Sequence, residues 1–314
     1  AGGETLPAPP PLVLTPVPPT ATVVLPDSDE ELAELSRSRL LALSVPEMRA
    51  IREHFSERPP TDAELEVLAQ TWSEHCKHKI FAADIDYLNA ETGRRSEISS
   101  LYKTYVQGST AKIRQNMGQG DICLSVFKDN AGVIRLSDEH HLCVKVETHN
   151  SPSALDPYGG ALTGIVGVNR DPMGTGMGAN LLCNTDVFCF ASPFHDKPLP
   201  PRLLHPRRVM EGVREGVEHG GNKSGIPTVN GSVVFHERFL GKPLVFCGTV
   251  GVMPATVNGK PSQHKRALPG DFIVMTGGRI GKDGIHGATF SSEELHEGSP
   301  ATAVQIGDPI TQRK

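Results

Sequence analysis

Apolar positions fall into three regimes along the chain. Residues 1–26 have no period, because prolines at 7, 9, 10, 11, 16, 18, 19 and 26 interrupt every run. Such a segment reads as a tail or linker, with one short strand at 21–25. A period near 3.6 follows. Leu32, Leu35 and Leu40 come after the pair Ser28/Glu31, and Met48, Ile51 and Phe55 after Ser44/Glu47 with Pro46 in the first turn. Leu65, Leu68, Trp72 and Cys76 come after Thr61/Glu64. Each group predicts a capped helix with one apolar stripe. The third is expected to run on through Trp72-Ser73-Glu74-His75-Cys76-Lys77-His78-Lys79.

From about residue 81 the pattern shortens to strand-like runs alternating with helical stretches. Strands are expected at 122–127, 142–148, 180–190, 244–252 and 272–276, with a helix carrying Val209, Val213, Gly216 and Val217 between the third and fourth. Gly159-Gly160 predicts a tight turn entering another helix. The alternation predicts an α/β (α+β) fold. Residues 254–270 are polar and turn-rich, which places a domain boundary there. The roughly forty residues after it are too few for a domain, so truncation is expected. The resulting partition is a tail (1–26), a helical linker domain (27–80), a main α/β domain (81–258) and the beginning of another α/β domain (266–314).

Composition narrows the function classes. A net charge of −5 gives no reason to expect nucleic acid or an anionic membrane as partner, although a local basic pocket for phosphates remains compatible. No apolar run has the length of a membrane-spanning helix, and no signal peptide is legible. The six cysteines are dispersed without a C-x-x-C pair, so reduced core thiols and a cytoplasmic location are expected.

Four segments carry candidate chemistry. In Lys145-Val146-Glu147-Thr148-His149-Asn150-Ser151-Pro152, residues 145, 147 and 149 alternate to one side of a strand and would present a cation, a carboxylate and an imidazole together. Lysine can neutralise a phosphate, a carboxylate can hold Mg²⁺, and an imidazole can carry a proton near neutral pH. The alternative is an exposed, charged strand end. In Asp156-Pro157-Tyr158-Gly159-Gly160-Ala161-Leu162-Thr163-Gly164, ending at Arg170-Asp171, glycines at a helix start could admit an anion to backbone N–H groups. An ordinary turn with a surface ion pair is the competing reading. His75-Cys76-Lys77-His78 offers two imidazoles one turn apart, but no second Cys/His cluster completes a zinc site. The run from Gly277 to Gly287 follows a predicted strand yet fails as a P-loop, since Asp283 stands where Ser or Thr would bind Mg²⁺.

Taken together and in this order, the segments resemble the synthetase part of the phosphoribosylformylglycinamidine synthase family, in its long, multidomain form. The stretches that carry the resemblance are AQTWSEHCKHK (69–79), SLYKTYVQGST (100–110), residues 145–171, GIPTVNGSVVFHERFLGKPLVFCGTVGV (225–252), GGRIGKDGIHGATFSS (277–292) and VQIGDP (304–309). The resemblance implies a helical linker, an aminoimidazole ribonucleotide synthetase-like N-terminal domain with a mixed sheet, which is the ATP and substrate domain, and the start of a C-terminal-like domain. It implies an ATP-dependent ligase of purine biosynthesis. Phosphoryl transfer from ATP activates the amide oxygen of formylglycinamide ribonucleotide, and ammonia from glutamine displaces the phosphate.

By the same resemblance His75 and His149 are catalytic, and Lys145 and His78 contact ATP. Thr148, Asn150, Ser151, Arg170 and Gln305 contact the substrate, Glu147 binds Mg²⁺, and Asp171 binds a second Mg²⁺. The chain departs from the family where Ser151 replaces a second histidine and where His78 replaces a tyrosine. Partners implied are ATP, the ribonucleotide, the remaining synthetase half, a glutaminase domain or subunit, and a second copy through the sheet face. The isolated chain is expected not to complete the reaction. The alternatives are another ATP-dependent member of the superfamily and a non-catalytic assembly module.

Overall fold

A computed structural model of the chain describes residues 19–274, 276–278, 284–290, 304–305 and 307–314. It divides into two compact units, residues 1–72 and 73–314.

The first unit is built on α1 (Asp29–Ser38), α2 (Val45–His54) and α3 (Asp62–Thr71). Ser28 Oγ accepts from Glu31 N at 3.3 Å, and capping boxes open α2 at Ser44/Glu47 and α3 at Thr61/Glu64. Each box satisfies orphan N–H groups at a helix start and so fixes where the helix begins. The apolar stripes close on Val23, Leu32, Met48, Ile51 and Leu65. The strand expected at 21–25 is a single bridge, Thr22 to Thr61. α3 stops at Thr71 instead of continuing to Lys79. Ser73 accepts from Cys76 N at 3.2 Å and starts a separate short helix, α4 (Glu74–Lys77). Serine favours that capping position over a helix interior, so Cys76 leaves the apolar stripe and is exposed.

The second unit opens on α4. A hairpin of β1 (Asp84–Leu88) and β2 (Arg95–Ser99) follows, then a π-helical stretch (Tyr102–Gln107) leading into α5 (Gly108–Met117). The main layer comes next: β3 (Cys123–Ser125), β4 (Gly132–Arg135), β5 (His140–Thr148), α6 (Asn150–Leu155), α7 (Pro157–Gly174), β6 (Asn180–Phe190), α8 (Pro206–Ser224), β7 (Thr228–Phe235) and β8 (Leu244–Pro254). Two-residue strands β9 (Thr256–Val257) and β10 (Lys260–Pro261) and short helices α9 (Gly287–Phe290) and α10 (Pro309–Arg313) complete the described elements. The sheet runs β3-β4-β5-β8-β6-β7, with β6–β7 parallel and its other pairs antiparallel. This is the mixed sheet of an α/β fold. The strand expected at 272–276 is not formed: residues 271–274 are irregular, and Phe272 and Ile273 are 95% and 100% exposed. An apolar run becomes a strand only when a neighbour pairs with it, and none of the described strands does so.

α7 and α8 cover one face. Ala161, Ile165 and Val168 of α7 and Val209 and Val213 of α8 close on Val245 and Cys247 of β8. The register sets residues of β5, β8 and β6 side by side on this face, as Lys145–Thr249–Asn184 and Glu147–Cys247–Asp186. On the opposite face Val144 and Val146 remain 42% and 50% exposed.

Asp186 is buried, at 3% exposure, and burial pushes its carboxyl up to about 6. A folded-state value above the unfolded one stabilises below the unfolded pKa, and that contribution is lost as pH rises through the folded pKa. In tetramethylammonium buffers, which offer no small cation to the carboxylate, stability should therefore fall between about pH 4 and pH 7. The full linkage is on the order of 2–3 kcal/mol. Asp186→Asn should flatten that part of a thermal-unfolding profile. A profile that keeps its slope in the variant assigns the effect to another group.

Candidate functional site

The strand alternation at 145–149 delivers two of its three side chains as expected. Lys145 Nζ lies 2.8 Å from Glu147 Oε1, and the same nitrogen lies 3.1 Å from Asp171 Oδ2. One ammonium thus joins a carboxylate on the strand to a carboxylate near the end of α7. Burial pulls the Lys145 pKa down, but the hydrogen bonds and charges of Glu147 and Asp171 outweigh it and leave it raised, so the lysine is a cation. Arg170 precedes Asp171 and is exposed.

His149 sits past the strand end, as the N-cap residue of α6. Its Nδ1 hydrogen-bonds the carbonyl of Gly160, which can only accept, so Nδ1 carries the proton and Nε2 is left as the basic nitrogen. Burial lowers the His149 pKa, the Gly160 carbonyl and the nearby Glu147 charge raise it, and the Arg170 charge lowers it further. The ring should stay neutral below the usual histidine range. Long-range ¹H–¹⁵N spectra should show the Nδ1–H tautomer with a titration midpoint below that of an exposed imidazole, and a midpoint at or above it would refute the assignment.

Small residues on α7 make this possible. A Cβ on Gly164 would lie 3.1 Å from His149 Cβ and 3.2 Å from Cys247 Sγ, so a side chain there would press the histidine and the thiol aside by a few tenths of an ångström. Gly160 packs closer still on the Pro152–Ser153 peptide. The expectation that Gly159 and Gly160 form a turn open to an anion is corrected here. Both lie inside the first turn of α7, where the Asp156 carboxylate accepts from Gly159 N at 3.1 Å. The helix caps itself, and the glycines serve close packing instead. That the Gly160 carbonyl orients His149 is not legible as a motif. Its trace in the sequence is the spacing of 160 and 164, which puts two glycines on one helix face.

The rest of the 148–151 run is placed differently. Thr148 is exposed. Asn150 Oδ1 accepts from Val245 N at 2.8 Å, tying the start of α6 to β8. Ser151 is buried, at 9% exposure. His75 is exposed on α4, where its Nδ1 lies 3.6 Å from the Cys76 thiol, and it makes no hydrogen bond or ion pair with the group around Lys145. The expected convergence of His75 with that group is therefore not seen in these contacts. His78 ends α4 in the left-handed conformation and stacks edge-on near Tyr102. The Gln305 carbonyl accepts from Thr163 Oγ1 at 2.5 Å, which docks this segment on α7 about 10 Å before Arg170 along the helix axis. Residues 279–283 of the glycine run lie outside the described residues.

Comparison with known proteins finds matches to two parts of the chain. The formylglycinamide ribonucleotide amidotransferase linker domain matches residues 32–79, and the N-terminal domain of AIR synthase related proteins matches residues 128–253. Phosphoribosylformylglycinamidine synthase subunit PurL of Thermoplasma acidophilum is 35% identical over 297 residues, covering 93% of this chain and 35% of the relative. The PurL subunit of Salinibacter ruber is 34% identical over 259 residues, covering 82% and 29%. The chain carries the linker domain and the AIR synthase related N-terminal domain and is similar to phosphoribosylformylglycinamidine synthase over most of its length. It spans about a third of the length of these relatives. Among solved structures, Thermotoga maritima PurL complexed with FGAR matches with a TM-score of 0.59 and 30% identity over 84% of this chain and 35% of that one. The same protein complexed with ATP matches at 0.53 and 27%, over 84% and 33%. No helix among the described residues is long and apolar enough to cross a membrane.

Proposed function

We propose that this chain forms the linker and one nucleotide- and substrate-binding part of an ATP-dependent synthetase that converts formylglycinamide ribonucleotide to the amidine in the cytoplasm. The partition at 1–26, 27–80, 81–258 and 266–314 belongs to this proposal. The observation that carries it is the ion pair of Lys145 with both Glu147 and Asp171, with His149 and Arg170 alongside. Relatives that bind FGAR and ATP support the choice of ligands.

The donor set fits Mg²⁺. Two carboxylates come within reach of one cation, and among the described residues no cluster of three or more His, Cys, Asp or Glu forms a closed metal cage. Mg²⁺ is commonly held by one or two carboxylates plus substrate phosphates and water. Glu147 and Asp171 would hold it, and the ion would supply charge neutralisation to the phosphates. Lys145, released from the carboxylates, contacts the transferred phosphoryl group, where a cation in a partly buried site spreads the developing charge. His149 Nε2 takes the proton from the incoming ammonia, since its tautomer is set by Gly160. Arg170 holds the ribonucleotide as a fork. Thr148 and the Asn150 amide nitrogen are what the run offers the substrate, with Ser151 kept for packing. His75 as a catalytic group, His78 as an ATP contact and Gln305 as a substrate contact belong to the same proposal.

Calorimetric titration of the chain with ATP and Mg²⁺, then with formylglycinamide ribonucleotide, tests the reading. Saturable Mg²⁺-dependent ATP binding is expected. Absence of ATP binding both to this chain and to the chain supplemented with the rest of a synthetase would overturn it.

A second element of the proposal concerns assembly. Val144 and Val146, with Phe246 and Val250 half-buried beside them, leave an apolar sheet face open. Exposed faces of this kind mark interfaces, and we assign it to the other synthetase half or a second copy. A clean monomer in sedimentation at high concentration would exclude the second copy.

A further inference from the structure

The helix-covered face of the sheet holds a polar cluster that the proposed reaction does not use. Asn184 is fully buried, and its Nδ2 donates to Asn169 Oδ1 at 2.9 Å and to the Gly248 carbonyl at 3.0 Å. Those two acceptors fix the amide orientation and leave Asn184 Oδ1 with no partner. Two residues on, Asp186 Oδ2 accepts from Thr228 Oγ1 at 2.9 Å, while Asp186 Oδ1 has no partner. Both residues pair regularly with β8, Asn184 with Thr249 and Asp186 with Cys247, so their side chains share a face with Cα atoms about 7 Å apart. The buried Thr249 hydroxyl donates toward the Cys183 carbonyl and keeps its lone pairs.

Two buried acceptor oxygens here lack partners; the donors nearest them are the Asn169 amide, whose Nδ2 is also without a partner, and the Gly248 N–H beside the Asp186 carboxylate. A buried carboxylate without a counter-charge is costly, and an unpaired carbonyl oxygen beside it adds to the cost. No Lys, Arg or His pairs with Asp186 among the described residues; the groups beside it are the Cys247 thiol on β8 and Thr228 on β7, with Glu147 one strand beyond Cys247. Water would donate to the oxygens but would not neutralise the charge. Mg²⁺ sheds its waters reluctantly and demands octahedral geometry, which an enclosed site with one carboxylate does not offer. We propose that Asn184 Oδ1, Asp186 Oδ1 and the Thr249 hydroxyl bind a small monovalent cation, of potassium or ammonium size, inside the core two strands away from Glu147.

The test uses the full chain. Thermal unfolding near pH 8 is measured at one ionic strength in the chlorides of potassium, ammonium and tetramethylammonium, the last too large to enter. The proposal expects the midpoint to rise by several degrees in potassium or ammonium, by mass action on the folded state. The rise should shrink below about pH 6, as Asp186 takes up a proton, and vanish in Asp186→Asn. Equal midpoints in all three salts, or the same spread in Asp186→Asn, overturns it. Should that variant fail to fold, thallium(I) soaked into crystals of the native chain decides. An anomalous peak between Asn184 and Asp186 supports the site, and an empty map there sinks it.

Discussion

Lys145→Met is expected to weaken Mg–ATP binding by roughly ten- to a hundredfold, the range of a lost charge-assisted hydrogen bond to an anion. The direction follows from what the ammonium holds. In the unliganded chain Lys145 Nζ lies 2.8 Å from Glu147 and 3.1 Å from Asp171, so it neutralises two carboxylates. Methionine keeps much of the length of the side chain and removes the charge. The two carboxylates are then left together, which should strengthen their hold on a free divalent ion while the nucleotide phosphates lose their cation. Glu147→Gln should do the reverse for the metal: weaker Mg²⁺ dependence with nucleotide contact to Lys145 retained. Calorimetry with Mg²⁺ alone and with Mg–ATP separates the two effects. If Lys145 were only a surface ion pair, its loss would cost under about 1 kcal/mol of stability and leave nucleotide affinity alone. An unchanged dissociation constant in Lys145→Met would return the strand end to that bland role.

How much of this was legible depended on the range of the interaction involved. Caps are local, so Ser28/Glu31, Ser44/Glu47 and Thr61/Glu64 announced their helices correctly. Strand alternation is also local, and it placed Lys145 with Glu147. The strand at 180–190 matches β6 at both ends because an apolar run bounded by Gly178 and Ser192 has few alternatives. Where tertiary packing decides, local signals failed. β7 has no buried residue and borrows its conformation from the parallel partner β6, and the β1–β2 hairpin is mostly polar. Trp72 and Cys76 share a helical period, yet the cap at Ser73 overrode it. Glycine is the most ambiguous case. Gly159-Gly160 satisfies a turn signal, an anion-site signal and a packing signal equally, and only the position of Pro152 and Ser153 against Gly160 selects the third. Of the proposed site, residues 145, 147, 149, 170 and 171 could be found from sequence because two short segments hold them. The placement of His75 depends on where α4 sits, and no local pattern encodes that.

The packing role of Gly160 leads to the largest expected effect on stability. An alanine Cβ there would stand 2.5 Å from both Pro152 C and Ser153 N, and 2.7 Å from Pro152 O. These are backbone atoms, so no rotamer change relieves the clash, and α6 must move off α7. α6 is not free to move: Ser153 N and Oγ both donate to the His149 carbonyl, at 3.2 and 2.7 Å, and Asn150 is tied to Val245. Gly160→Ala should therefore cost roughly 2–4 kcal/mol, at or above the usual range for an overpacked core. Gly241→Ala is the control, since nothing lies within 4 Å of its added carbon, and it should change stability by less than about 0.5 kcal/mol. The same shift would pull the Gly160 carbonyl away from His149 Nδ1 and release the tautomer. Denaturant unfolding reads the first effect and imidazole ¹⁵N shifts read the second. Full stability with an altered His149 ring would mean that α7 yields locally. An unaltered ring at full stability would mean that the two helices do not touch at this point in solution, and the link from small residues on α7 to the chemistry of His149 would be lost.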